Sequence, residues 1–359
     1  MEHIVNNFPS PQHRENYASL NGLRAFAALG IVLMHVQANM AIKPSVNYLT
    51  SNIIGNMACL TLLFMMVSAF SMCCGYYDRV RIGAITPQAF YSKRYHRAWP
   101  FFAIMVTLAF LMDPSWNTFC QTFADLTLCF NLLPNPHIEI IGVGWFLGLV
   151  FTFYMLFPFF TFLLSSKKKS WMVLALSLMF CYIEATYFCR ENFVVRPITY
   201  LNIVYCAPFF IVGGMAYLYR KEIKTWHKAI KYLILICCVL FIIVTSMLHM
   251  KLFIFPILTM YLGFLIYAIS SNGIMLNNKI TKYLSGISME IYLCHMMFFR
   301  VASMLHLENY IHQCDVLFVV TFLVTLMGAV CFSHVTKYWV IPKIEDYLTK
   351  IVRKTTNNE

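Results

Sequence analysis

Arg24 and His35 stand eleven residues apart within one apolar run, Leu20 to Met40. An ionisable side chain inside such a run is costly and by default functional. On an ideal α-helix eleven residues turn about 1100°, three turns plus ~20°, and rise ~16 Å, so the two share a face at different depths. A guanidinium near one end of the run suits an anionic ligand, and an imidazole further along suits a general base or a nucleophile because its unperturbed pKa lies near physiological pH. The plain alternative is that Arg24 snorkels to an interface and His35 is a satisfied packing histidine.

A second basic constellation is Lys93-Arg94-Tyr95-His96-Arg97-Ala98-Trp99-Pro100, in which Arg94 and Arg97 are three apart and share a helix face. Such a pair can hold a phosphate bidentately, or it is interfacial positive charge beside an aromatic belt. Val67-Ser68-Ala69-Phe70 offers a hydroxyl and a small residue at which helices can approach closely. Gly286 to His295 places Glu290 and His295 inside a further apolar run, with Glu290 near enough to its end to be solvated. Trp145 and Tyr154, on a run that continues to Phe157-Pro158, read as interface and packing aromatics.

The elements that carry these residues are helices in lipid. Hydrophobic residues make up 60% of 359 positions and charged residues 12%, too apolar for the mixed surface of a soluble protein. Apolar windows fall at Leu20 to Met40, Met57 to Tyr76, Ala98 to Met112, Trp145 to Leu164, Trp171 to Phe188, Tyr200 to Tyr219, Tyr232 to Leu248, Leu252 to Ile269, Leu284 to Leu305 and Val316 to Val335. A spanning helix needs ~20 mostly apolar residues. The expectation is therefore an all-α, polytopic transmembrane bundle of about ten spans. Trp116 to Leu133 ends in the Pro134, Pro136 pair and reads as a re-entrant or surface helix. The polar start, Met1 to Ser19, lacks the pattern of a cleavable signal, so the first run is expected to be retained.

Charge orients the bundle. With the N-terminus inside, all but six of the 27 Lys and Arg fall on the inner side; Lys43, Arg190, Arg196 and Lys251 are outer, and Arg24 and Arg300 lie within helices. By the positive-inside rule both termini are expected in the cytoplasm. The net charge of +12 thus follows topology and does not call for a nucleic-acid partner. Most of the thirteen cysteines lie inside apolar runs as packing residues, while Cys120, Cys189 and Cys314 lie near expected outer ends, where a pairing is conceivable. No metal-ligand spacing is present, and neither is a repeat at solenoid spacing.

In this order the segments resemble the acyltransferase type 3 family of integral-membrane glycan O-acyltransferases. The matching pieces are Leu20-Asn21-Gly22-Leu23-Arg24-Ala25 followed by His35, Phe64 to Phe70, Arg94-Tyr95-His96-Arg97, Trp145 to Pro158, and Ser288 to His295. The chain departs from the family where Ala69 stands at a frequent glycine, and where Val150 and Phe151 stand in place of a glutamate that many members carry. The resemblance implies a single acyltransferase type 3-like transmembrane domain over residues 1–354 in a plasma (inner) membrane, and the polar stretch 355–359 reads from its composition as a disordered tail.

It further implies transfer of an acyl group, commonly acetyl from acetyl-CoA as co-substrate and without a metal, to a sugar hydroxyl of a cell-surface or lipid-linked polysaccharide. On that reading Arg24, Arg94 and Arg97 bind the phosphates of acyl-CoA, and His35 is the general base or a transient acyl carrier. Ser68 and His295 are further catalytic candidates, for orienting acyl group or acceptor. Membrane lipid surrounds the whole. The competing class is a transporter or translocator of a lipid-linked glycan without acyl transfer, which a bundle with internal charges also suits. Against it, no internal repeat pairs the helices into similar halves.

Overall fold

The structure, a computed structural model, describes residues 17–132, 140–188, 202–247, 254–271 and 273–356. Among them there is no strand, and helices are the elements that satisfy their own backbone hydrogen bonds, as an apolar solvent requires. Among the described residues five helical stretches are long and apolar enough to cross a bilayer: Leu20–Asn39, Leu49–Arg81, Pro87–Met112, Trp145–Leu163 and Cys314–Ile351. Ile203–Leu218 and Ile254–Ser270 are apolar but shorter. Of the expected outer cysteines, Cys120 and Cys314 are free thiols, and Cys189 lies outside the described residues.

Helix α1 is Leu20–Asn39. The stretch Leu49–Arg81 is continuous, with α2 (Leu60–Met72) at its centre and α3 (Asp78–Arg81) at its end. Helix α4, Pro87–Met112, starts eleven residues before the apolar window Ala98 to Met112, because Thr86 caps it by accepting from the Ala89 amide and Pro87 takes the first helical position. That early start puts Arg94 and Arg97 well inside a regular helix. Helix α5, Trp116–Leu126, is set by a capping box between Ser115 and Thr118. It folds back along α4, with Phe119 against Phe110 and the Leu126 carbonyl accepting from Trp99 Nε1 at 2.8 Å. At eleven residues it is ~16 Å long, about half of a bilayer core.

Helix α6, Trp145–Leu163, runs antiparallel to α4: Tyr95 packs on Phe151 and Tyr91 donates to the Met155 carbonyl at 2.7 Å. The remaining helices are α7 (Lys167–Ile183), α8 (Ile203–Leu218), α9 (Arg220–Thr225), α10 (Lys228–Met247), α11 (Ile254–Ser270), α12 (Lys279–Gly286), α13 (Ser288–Met304), α14 (Cys314–Val335) and α15 (Ile341–Thr356). Two differ from the sequence windows. The run Leu284 to Leu305 breaks at Ile287, which leaves the helical region and separates α12 from α13. The last window does not stop at Val335 but passes through one wide turn, Thr336–Val340, into α15. Thr355 and Thr356 therefore end a helix, and the remainder of the expected tail lies outside the described residues.

Two apolar cores form. One gathers α2, α6, α8 and α11 around Phe70, Phe157, Phe209 and Phe210; the other gathers the far half of α1 with α4, α13 and α14 around Ile31, Phe101, Phe102 and Leu293. Helix α8 lies on α2 with almost no side chain between them. A Cβ on Gly213 would collide with the Met66 carbonyl oxygen and crowd the Ala69 Cβ. Ala69 in place of the family's glycine thus does not hold the helices apart, because the missing side chain is on the partner helix. Gly213→Ala must separate α2 from α8, and we expect overpacking to cost about 1–3 kcal/mol, read as a lowered midpoint of thermal unfolding in detergent, with Gly75→Ala, which has open space, as the control.

Candidate active site

At the seam between the two cores lies a cavity of about 280 Å³, walled by α1, α2, α4, α6, α12 and α13. Arg24, Ser68, Arg94 and Arg97 all line it, so four of the six residues singled out in the sequence converge. Their neighbours in the wall are hydroxyls and apolar groups, among them Ser71, Tyr154, Ser285, Ser288 and Tyr292, and none of the lining residues is an aspartate or glutamate.

Each guanidinium is held differently. Arg24 turns inward from α1 and donates from Nη2 to Ser71 Oγ at 2.5 Å, while that hydroxyl donates to the Val67 carbonyl at 2.7 Å. Arg94 donates from Nη2 to Tyr76 Oη at 2.7 Å, and its guanidinium carbon stands 4.7 Å from the centre of the Tyr76 ring and 5.8 Å from that of Tyr154. Its Nε is buried and has no acceptor. Arg97 lies on the exposed side of the cavity, in electrostatic range of Arg24 and of Lys337. Three like charges around one small space repel, and hydroxyls, aromatic faces and the Met72 thioether, which accepts from Arg94 Nη1 at 3.3 Å, offset them.

Ser68 Oγ and Tyr154 Oη are 3.0 Å apart and share a hydrogen bond. Tyr154 therefore joins the serine to Arg94, a role that its place in an apolar aromatic run concealed. Ser71 and Tyr76 were likewise missed. The signal for Ser71 was its spacing: three residues after Ser68, it falls on the same helix face.

The two histidines form a separate pair. His35, half-buried on α1, and His295, fully buried on α13, have ring centroids 5.0 Å apart, and neither lines the cavity. The link is Tyr292, which lines the cavity and whose ring centroid is 5.9 Å from that of His295. Cavity, Tyr292, His295 and His35 follow one another along the direction of α1.

Comparison with protein families decides the class. A family model described as an acyltransferase domain matches residues 17–338. The chain belongs to the acyltransferase type 3 family. No curated protein and no solved structure matches this acyltransferase. The matched span contains every cavity-lining residue and both histidines, so the site is built wholly within the acyltransferase domain.

Glu290 requires a correction. It is not solvated at the end of its run but 2% exposed, and its Oε1 accepts from Lys337 Nζ at 2.5 Å, while Lys337 also donates to the Gly286 carbonyl. The reason is the continuation of α14, which carries Lys337 across the start of α13. A carboxylate left without its ammonium in so dry a place is costly. Lys337→Met should lower stability by about 3 kcal/mol, and adding Glu290→Gln to that variant should restore most of the loss, both measured by thermal unfolding in detergent.

Proposed function

We propose that this membrane acyltransferase moves an acyl group, acetyl in the simplest case, from acyl-CoA to a sugar hydroxyl of a cell-surface or lipid-linked polysaccharide, and that it crosses a plasma membrane about ten times with both termini in the cytoplasm. The observation that carries the donor is the cluster of three guanidiniums around a cavity without a carboxylate. Phosphate oxygens satisfy that cluster in the way Arg prefers, by planar, charge-assisted pairs of hydrogen bonds. The family's usual chemistry supplies the thioester and the sugar.

In this reading Arg97, exposed at the mouth, and Arg94, with a donor to spare, hold the phosphates, and Arg24 closes the inner end. The cavity is too small for the whole of CoA, so it takes the phosphate end while the acyl-bearing arm extends past Tyr292 toward the histidines. His35 accepts the proton of the sugar hydroxyl as that oxygen attacks the acyl carbonyl carbon. The C–S bond then breaks, and the proton passes from His35 to the departing thiolate. Ser68, bonded to Tyr154, keeps Tyr154 and hence Arg94 in place.

The test is mass spectrometry of surface glycans from cells carrying the intact chain, His35→Ala or Arg24→Ala, with protein levels matched. Wild type should add one acyl mass increment to a sugar, and His35→Ala should lower the yield at least 100-fold, within the range for a lost general base. Arg97→Ala should weaken binding of radiolabelled acetyl-CoA to the purified protein by about tenfold, the loss of one charge-assisted contact. Full acylation by His35→Ala removes the base, and absence of any acetyl-CoA binding favours a glycan translocator.

A further inference from the structure

We infer that His295 is a positioning residue that acts on His35 and never on the substrate: it supplies the acceptor that fixes the proton and the ring orientation of His35. The inference rests on the reading of His35 as the base and deepens it.

The argument starts from a carbonyl. His295 Nδ1 lies 2.7 Å from the Tyr292 carbonyl oxygen, one turn back on α13. A carbonyl only accepts, so Nδ1 must carry the hydrogen, and a neutral ring then has its lone pair on Nε2. That Nε2 is buried and has no hydrogen-bond partner, in a residue that is 0% exposed. A buried acceptor without a donor is costly, and the imidazole of His35 packs against this ring, with centroids 5.0 Å apart and planes tilted by 49°.

At that separation the rings touch but are not hydrogen-bonded; a rotation of the half-buried His35 ring brings one of its N–H groups onto His295 Nε2. Such bonds are commonly slack before substrate arrives. Once made, the bond consumes the N–H of neutral His35, so the other nitrogen must present its lone pair away from α13. The chain of contacts is then Tyr292 carbonyl, His295 Nδ1–H, His295 Nε2, His35 N–H, and a free His35 lone pair for the hydroxyl proton. Nucleophile–base–orienter sets follow this logic, with a third group fixing the tautomer of the base. The role also fits the difference in burial between the two rings: His295 is 0% exposed, which leaves it no face for a substrate, whereas His35 is half-buried.

The test uses the full chain in detergent and diethyl pyrocarbonate, which acylates a neutral imidazole at its lone pair, with the rate at the His35 peptide followed by mass spectrometry at pH 7. His295→Phe should slow modification of His35 more than threefold, whereas His295→Gln, whose side-chain oxygen can stand where Nε2 stood, should keep it within threefold of wild type. A rate within threefold in His295→Phe overturns the inference and makes His295 a packing residue, as does a His295→Gln that falls as far as His295→Phe. Should His295→Phe not fold, judged by loss of acetyl-CoA binding, His295→Asn, which is too short to reach, takes its place with the same expected loss. The reagent needs no sugar acceptor, so this result is independent of the acylation assay: intact acylation by His35→Ala sinks the base itself, while loss of acylation there with unchanged reactivity in His295→Phe sinks only the pairing.

Discussion

Three guanidiniums inside a helical bundle, with no carboxylate in the wall around them, set the terms for the rest of this structure. A charge in an apolar medium must be hydrogen-bonded or paired. Here Ser71 accepts from Arg24, Tyr76 accepts from Arg94, and the rings of Tyr76 and Tyr154 turn their negative faces to the Arg94 cation. Those contacts are enough to hold the side chains inward and too few to neutralise them. The unpartnered Arg94 Nε and the exposed Arg97 are what remains, and they are the groups that the proposed donor phosphates would engage.

The Glu290–Lys337 pair shows the opposite solution a short distance away. There a carboxylate and an ammonium neutralise each other, the ammonium also caps a carbonyl, and the pair joins α13 to the turn between α14 and α15. Arg97 is in electrostatic range of Lys337 as it is of Arg24. Positive charge thus accumulates at one end of the cavity while negative charge is kept busy elsewhere. An acidic residue free to reach the arginines would neutralise them instead.

Packing decides whether the charges can meet at all. The cavity exists because two cores abut without merging, and α2 can carry Ser68 and Ser71 to the seam because its opposite side presses against the bare backbone of Gly213. The long α4 supplies Arg94 and Arg97 from its first half, while Trp99 at its middle and Phe110 near its end support the folded-back α5. The rigid elements are therefore those that set side-chain geometry, and the site needs no loop to be assembled.

Much of this was legible in residue order alone, for a physical reason. A helix in lipid makes all its backbone hydrogen bonds internally, so apolar runs mark the elements, and the 3.6-residue period places Arg94 with Arg97 and Arg24 with His35 on common faces without knowledge of their neighbours. The resemblance to a membrane acyltransferase rested on the same local patterns. What lay beyond them were contacts between residues distant in the chain. The hydroxyl partners Ser71, Tyr76 and Tyr154, the burial of Glu290 by Lys337, and the meeting of His35 with His295 depend on how one helix rotates against another, which is set by side-chain volume at places such as Gly213 and Ala69. Sequence determined which groups were available and at what height on each helix; only the packed bundle determined which groups meet, dividing the six candidates into an arginine cavity that includes Ser68 and a histidine pair joined to it through Tyr292.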